Sequence, residues 1–434
     1  MKILLKNAFW VCIEKGSRLI LGLFISGLLA RHLGVKDFGN LNFYLTVVII
    51  LSVATSLGFN RIIVRETALA TNNKLKQINL VYNLVLTRVF ISSILFLICL
   101  FFSYLQNGKI DTIIIVIISS IFLSFDVIDF YYQGNGDFKT ISVIRNISFI
   151  LTSCIKIILI YCEVSLIYFI YLIPLEHMLN AIMFIFVFYK KSKLVAKLSF
   201  NFNLVVKTIN ESWTEIIAGF GAILFMKLDS IMLKILSTTH ELGIYTAATK
   251  LSEAWYFFPM MIVSITFPKI LEIRKNSKSE YLISIQLLLI GLFYICLLAI
   301  FSFFILGPFI ISVIYGIEFR ESYLILQVHS LSSVFMCFGV ASGSYLVAEK
   351  KLKINLYRNV IGLIANVILN CVFIHLYGAI GAAIATLISM SIAFYFYDIF
   401  NKDTRFIFYM KTNAFRLDWL LKYKQKNIVK SRDV

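Results

Sequence analysis

About twelve runs of roughly twenty mostly apolar residues, separated by short polar loops, run the length of this chain and leave few folds open to it. The runs centre near Gly22, Ile50, Ser92, Ser120, Thr152, Ile182, Leu224, Phe257, Cys296, Phe335, Leu363 and Met390. A helix of roughly twenty residues spans about 30 Å, the thickness of bilayer hydrocarbon. Inside lipid each backbone N–H and C=O must find its partner within the protein, so a lone spanning segment is a helix. The pattern predicts an all-α polytopic membrane protein with about twelve transmembrane helices.

The basic residues fall in every second loop. Arg61, Arg65, Lys74 and Lys76 share one; Lys139 is in the next such loop, then Lys190, Lys191, Lys193, Lys197 and Lys207. Lys269, Arg274, Lys275 and Lys278 follow, then Lys350, Lys351, Lys353 and Arg358. The intervening loops hold only Arg31 with Lys36, Lys109 and Arg320. Lys and Arg are retained on the cytoplasmic side during insertion, so this parity predicts that both termini are cytoplasmic. Lys2 and Lys6 precede the first span, and a basic tail from Lys402 to Arg432 follows the last.

Composition narrows the function. With 60% hydrophobic and 15% charged residues among 434, the chain is not a soluble globular protein of average usage. Its net charge of +18 follows loop parity rather than one face, so it argues for topology and not for nucleic acid. Lys190-Lys191-Ser192-Lys193 directly follows a span and reads as an anchor for anionic headgroups. The seven cysteines lie in spans without C-x-x-C spacing, as small packing residues, and neither a metal nor any cofactor is expected. The first span lacks a small-residue cleavage site and reads as retained. After Phe400 the tail, with Phe406, Phe408, Tyr409, Phe415, Leu417, Trp419 and Leu420, reads as an amphipathic segment along the inner surface. The loops are too short for a catalytic domain, so the protein is not expected to be an enzyme.

A repeat divides the chain. Asp37-Phe38-Gly39 after the first span matches Glu241-Leu242-Gly243 after the seventh, and Tyr132, Ile141, Arg145 and Asn146 match Tyr345, Ile354, Arg358 and Asn359. Two six-helix halves are predicted, 1–200 and 201–400, with a basic cytoplasmic tail, 401–434. Parallel repeats of this kind build transporters whose site lies between the halves and which work by alternating access.

Ionisable residues within spans are costly in lipid and point to function. Arg18, Arg88, Lys156, Lys227 and Lys250 are the candidate substrate-binding residues of a cavity, and their excess of positive charge favours an anionic substrate. Asp229 is the candidate ion-coupling residue. Structural alternatives stand beside these roles: Arg18 is four residues after Glu14, Lys250 three before Glu253, and Arg145 reads as a snorkelling anchor. Asp126 and Asp129 share a helix face, and Glu176-His177 reads as an interior polar pair. No G-x-x-x-x-G-K-[ST] loop is present, and the histidines lack metal spacing. Pro174, Pro259 and Pro268 are candidate hinges that bend or interrupt the sixth and eighth spans.

Several stretches carry a resemblance. Leu33-Gly34-Val35-Lys36-Asp37-Phe38-Gly39, Tyr131-Tyr132-Gln133-Gly134 with Phe138, Asp229-Ser230-Ile231-Met232-Leu233 with Leu242-Gly243-Ile244-Tyr245, and Asn366, Asn370 and Tyr377-Gly378-Ala379-Ile380-Gly381-Ala382-Ala383 resemble signatures of Wzx-type polysaccharide flippases. These belong to the multidrug/oligosaccharidyl-lipid/polysaccharide superfamily. The resemblance implies a flippase of the bacterial inner membrane that moves an undecaprenyl-pyrophosphate-linked oligosaccharide from the cytoplasmic to the periplasmic leaflet for O-antigen or capsule. It also implies membrane lipids, a polysaccharide polymerase and a chain-length regulator as partners, and no nucleic acid. The alternatives are a lipid-linked peptidoglycan precursor flippase and a multidrug or cation antiporter; the basic excess within spans argues against the antiporter.

Overall fold

The computed structural model describes residues 2–70, 73–107, 112–192 and 198–416, and every regular element in them is helical. Lys109, Lys193, Lys197 and the tail from Leu417 onward, with Trp419 and Leu420, lie outside the described residues. Nine helical stretches among them are long and apolar enough to cross a membrane, so the chain is an all-α polytopic membrane protein. The chain divides into two compact units, Met1–Ile231 and Met232–Val434.

The first unit begins with α1 (Lys2–Ser56), which Gly34 breaks at φ 71° and ψ 173°, a conformation open to glycine alone. What hydropathy reads as one stretch, Trp10–Ser56, is therefore two helical runs. A short helix, α2 (Phe59–Leu69), leads to α3 (Lys74–Asn107). The next span is broken into α4 (Thr112–Ile117), α5 (Ser119–Leu123) and α6 (Asp126–Gly134). Then come α7 (Phe138–Tyr161), α8 (Leu166–Ser192) and α9 (Phe202–Leu236), whose N-terminal half bears Lys207, Glu211 and Glu215 and which is not among the nine. One core gathers Phe59, Leu84, Val127, Ile144 and Phe184; another gathers Ile25, Val116, Phe169 and Ile173. Large side chains such as Phe24 and Phe101 are exposed, as lipid-facing positions should be.

The second unit contains α10 (Thr239–Trp255), α11 (Phe257–Asn276), α12 (Lys278–Ile314), α13 (Ser322–Ala348) and α14 (Leu352–Ser391). A π-helical turn (Ile392–Phe396) leads to α15 (Tyr397–Phe400), and α16 (Arg405–Ala414) follows. Its core runs from Tyr281 through Cys296 and Cys337 to Phe338 and Leu346. Gly378 interrupts α14 at φ 55° and ψ −130°. The helix that resumes there is capped from outside: the Ala379 N–H donates to Glu241 Oε2 at 2.6 Å. Thr238 caps α10 in turn, its Oγ1 accepting from the Glu241 N–H at 3.2 Å.

Three expectations change. Of the three prolines only one coincides with a break: α8 runs through Pro174 and α11 through Pro268, whereas the eighth span is divided at Tyr256 between α10 and α11, where the nitrogen of Pro259 has no hydrogen to donate to Trp255 O. The described part of the tail packs one face of α16 onto the bundle. Ile407, Lys411 and Ala414 on α16 are buried, the Gln286 amide donates to Met410 O at 2.9 Å, and Lys411 Nζ donates to Asp398 Oδ2 at 2.7 Å. Both members of that ion pair are fully buried. The cysteines also divide, because Cys296 and Cys337 place their sulfurs 2.7 Å apart across α12 and α13, whereas Cys12, Cys154, Cys162 and Cys371 are exposed.

Candidate functional site

Three spans of the first unit converge on one carboxylate. Arg18 Nη2 on α1 lies 3.4 Å from Glu176 Oε1, and Lys156 Nζ on α7 lies 3.3 Å from Glu176 Oε2. Thr152, one turn before Lys156 on the same face of α7, donates to Oε2 at 3.4 Å. The Arg18 guanidinium also stands 5.3 Å from the centroid of the Phe149 ring. Glu176 is the sole acidic residue of α8 and is largely buried, its side chain 16% exposed.

The arrangement has a charge consequence. Two cations share one anion, so the cluster carries a net positive charge among apolar helices, and each carboxylate oxygen already holds one cation. An incoming anion with several oxygens can take over one or both of these donors without leaving a cation stranded. The ion pair of Arg18 thus reaches across to α8, and both cations that Glu176 holds come from other helices.

Arg145 is likewise no snorkelling anchor. Its guanidinium is paired with Asp129, Nε to Oδ2 at 2.8 Å, and reaches Asp126 at 3.7 Å, while the Gln133 amide donates to Asp129 Oδ1. Its repeat counterpart, Arg358, is buried in the second unit, donating to Ser342 Oγ at 2.7 Å and to Gly339 O at 2.8 Å. Arg88 is buried too. Its Nε donates to Thr55 O at 3.1 Å and its Nη2 to Leu123 O at 3.2 Å, carbonyls at the ends of α1 and α5. Those are the carbonyls a helix end leaves without an internal partner.

Lys227 is half-buried and Asp229 buried, both on α9; residues two apart on a helix point about 200° apart and do not face each other. Lys250 is half-buried on α10 in the second unit. Glu176 was visible in sequence as an acidic residue inside a span, but its partners lie on helices far along the chain. No local signal pairs them, because several cations and carboxylates lie within the same six-span stretch. Among the described residues no group of three or more His, Cys, Asp or Glu could hold a metal ion.

The family model for the polysaccharide biosynthesis protein matches residues 4–274, more than half of the chain. The chain belongs to this family. As a polysaccharide biosynthesis protein it is similar to the capsular polysaccharide biosynthesis protein CapF of Staphylococcus aureus, at 24% identity over 388 residues, 85% of this chain and 91% of that one. In fold it is similar to the lipid II flippase MurJ in an inward closed conformation, with TM-score 0.71 at 16% identity, covering 95% of this chain and 91% of that one. An inward-facing multidrug resistance MATE family transporter is also similar, with TM-score 0.63 at 13% identity over 93% of this chain and 94% of the other. The fold is thus shared with a lipid II flippase and with a multidrug transporter.

Proposed function

We propose that this polysaccharide biosynthesis protein is a flippase of the bacterial inner membrane that carries an undecaprenyl-pyrophosphate-linked oligosaccharide repeat unit from the cytoplasmic to the periplasmic leaflet, for O-antigen or capsule. The observation that carries this reading is the Arg18–Glu176–Lys156 cluster, where cations outnumber the carboxylate two to one inside the spans. A pyrophosphate offers several anionic oxygens in place of the two of Glu176, and a guanidinium fork suits it. Alternating access exposes the cluster to each face in turn. Lys227 and Lys250 are further contacts in this proposal, and Pro174, Pro259 and Pro268 are the points at which helices bend.

The same proposal includes twelve spans with both termini cytoplasmic, in two six-helix halves, 1–200 and 201–400, followed by the tail, 401–434. Its support is that Gly34 and Gly378 each divide a long helix in two and that α9 adds a further helix. A polymerase and a chain-length regulator receive the product.

The test is transport of a fluorescent lipid-linked oligosaccharide in proteoliposomes, with surface polysaccharide scored in a deletion strain. Arg18→Gln and Lys156→Gln should each lower transport by about tenfold or more at normal abundance, the worth of one charge-assisted hydrogen bond. Arg18→Lys should restore only part, since it keeps charge and loses the fork. Deletion should remove surface polysaccharide and leave wall synthesis intact; blocked wall synthesis would assign the peptidoglycan precursor instead.

A further inference from the structure

The positive excess at Glu176 has a negative counterpart in the same unit. Arg18 and Lys156 share Glu176, whereas Asp126 and Asp129 share Arg145. His177, next to Glu176 on α8, is reached by both sets. The charges acting most strongly on its ring are Glu176, Asp126 on α6, Arg18 on α1 and Arg145 on α7. The other two helices packed against α8, α4 and α5, carry no charged residue. Three cations thus face three carboxylates. Arg88, which Asp126 answers, and Glu14, which acts on Arg145, add one charge of each sign. With a neutral imidazole the whole set sums to zero.

A balanced interior accepts an anion at a cost. Once a pyrophosphate takes over Arg18 and Lys156, the Glu176 carboxylate is left without its two cations, and unanswered negative charge stands among apolar helices. Imidazole is the one type of group in the set that ordinarily changes its charge near neutral pH. A proton on His177 offsets one of the added negative charges and gives the displaced carboxylate a neighbouring cation.

We propose that His177 is the proton-binding group of this site and takes up one proton from water as a pyrophosphate group displaces Glu176 from Arg18 and Lys156. This role rests on the function proposed above for the identity of the anion, and it adds that cargo and proton are bound together. By linkage each tightens the other. Anion affinity therefore rises as pH falls through the window in which the complex holds the proton and the empty protein does not.

Isothermal titration calorimetry of the full purified chain with inorganic pyrophosphate, in buffers of different ionisation heat, counts the protons exchanged on binding. The ligand's own protons cancel when wild type and His177→Gln are compared at the same pH. Between about pH 5.5 and 8, wild type should take up about one proton more than His177→Gln, and its affinity should change about tenfold more per pH unit where that proton is exchanged. His177→Arg carries its charge throughout this range. It should bind pyrophosphate at about pH 8 as tightly as wild type does at about pH 5.5, without the extra proton, which a packing role for the ring would not give. His177→Asn replaces His177→Gln in the comparison if the latter fails to fold. Equal proton counts and equal pH slopes for wild type and the uncharged variant would overturn His177 as the proton site, while loss of binding in Arg18→Gln would still keep the cluster as the anion site. No binding by wild type, or binding that Arg18→Gln leaves unchanged, removes the cluster as the anion site and the proton site with it. Binding with the expected uptake in a protein that moves no lipid-linked sugar would overturn the proposed function and leave the proton site standing.

Discussion

In the proposed function Glu176 is a place-holder: its two oxygens occupy the donors of Arg18 and Lys156 until the anionic cargo takes them. Its removal therefore has a specific signature. Glu176→Gln should tighten binding of inorganic pyrophosphate to the purified protein, by about tenfold, because the competing charge is gone. Turnover in proteoliposomes should fall, since a cargo held more tightly leaves more slowly; weaker pyrophosphate binding would show that the carboxylate positions the cations rather than competing with cargo. Asp229 is a different case. Buried on α9 and facing away from Lys227, it is the group proposed to couple movement to a proton gradient. Asp229→Asn keeps its shape and cannot ionise, so transport by the variant should be insensitive to an imposed gradient at normal abundance. Unchanged gradient dependence would remove Asp229 from that role.

The helices themselves were legible from the sequence, because hydrocarbon thickness and the lack of water for backbone groups leave a run of apolar residues little choice. Their breaks were less so. Prolines were read as the interruptions, and the break at Tyr256 does precede Pro259, yet the sharp turns at Gly34 and Gly378, with φ values of 71° and 55°, leave no mark in hydropathy. The Glu241 cap on Ala379 joins residues far apart in the chain, and nothing local announces it. Nor does local sequence mark α16 as a docked helix, since Lys411 reads as one more basic residue of a basic tail. Burial pushes the Lys411 ammonium down to about 8, opposed by Asp398 and assisted by Arg358. With the folded value below the ordinary one, the open form holds more protons between about pH 8 and the ordinary lysine value of 10.4. Docking of α16 should therefore strengthen as pH rises through that window, seen as growing protection of Arg405–Ala414 in hydrogen exchange corrected for intrinsic rate. Lys411→Met alone strands a buried carboxylate and should cost about 3–5 kcal/mol, whereas Lys411→Met with Asp398→Leu should recover most of it. Equal melting shifts for the single and double variants would show that the pair contributes nothing by charge.

For the whole molecule, the alternation of basic loops makes a direct topological statement. In a variant whose seven cysteines are replaced, a cysteine at Ser277 should resist an impermeant thiol reagent applied to intact cells, and one at Thr239 should react. Reaction at Ser277 from outside would reverse the proposed orientation. The buried pair in the second unit bears on how such a molecule is made. Asp398 closes the last apolar stretch, and its counter-ion is thirteen residues further along. While the chain is being synthesised, that final span therefore reaches the membrane with an unmatched acid at its end, and it becomes secure only after α16 has emerged and folded back. Ribosomes that terminate between these two positions release a protein with every long apolar segment present and its last one unanchored, the kind of product that membrane quality control removes.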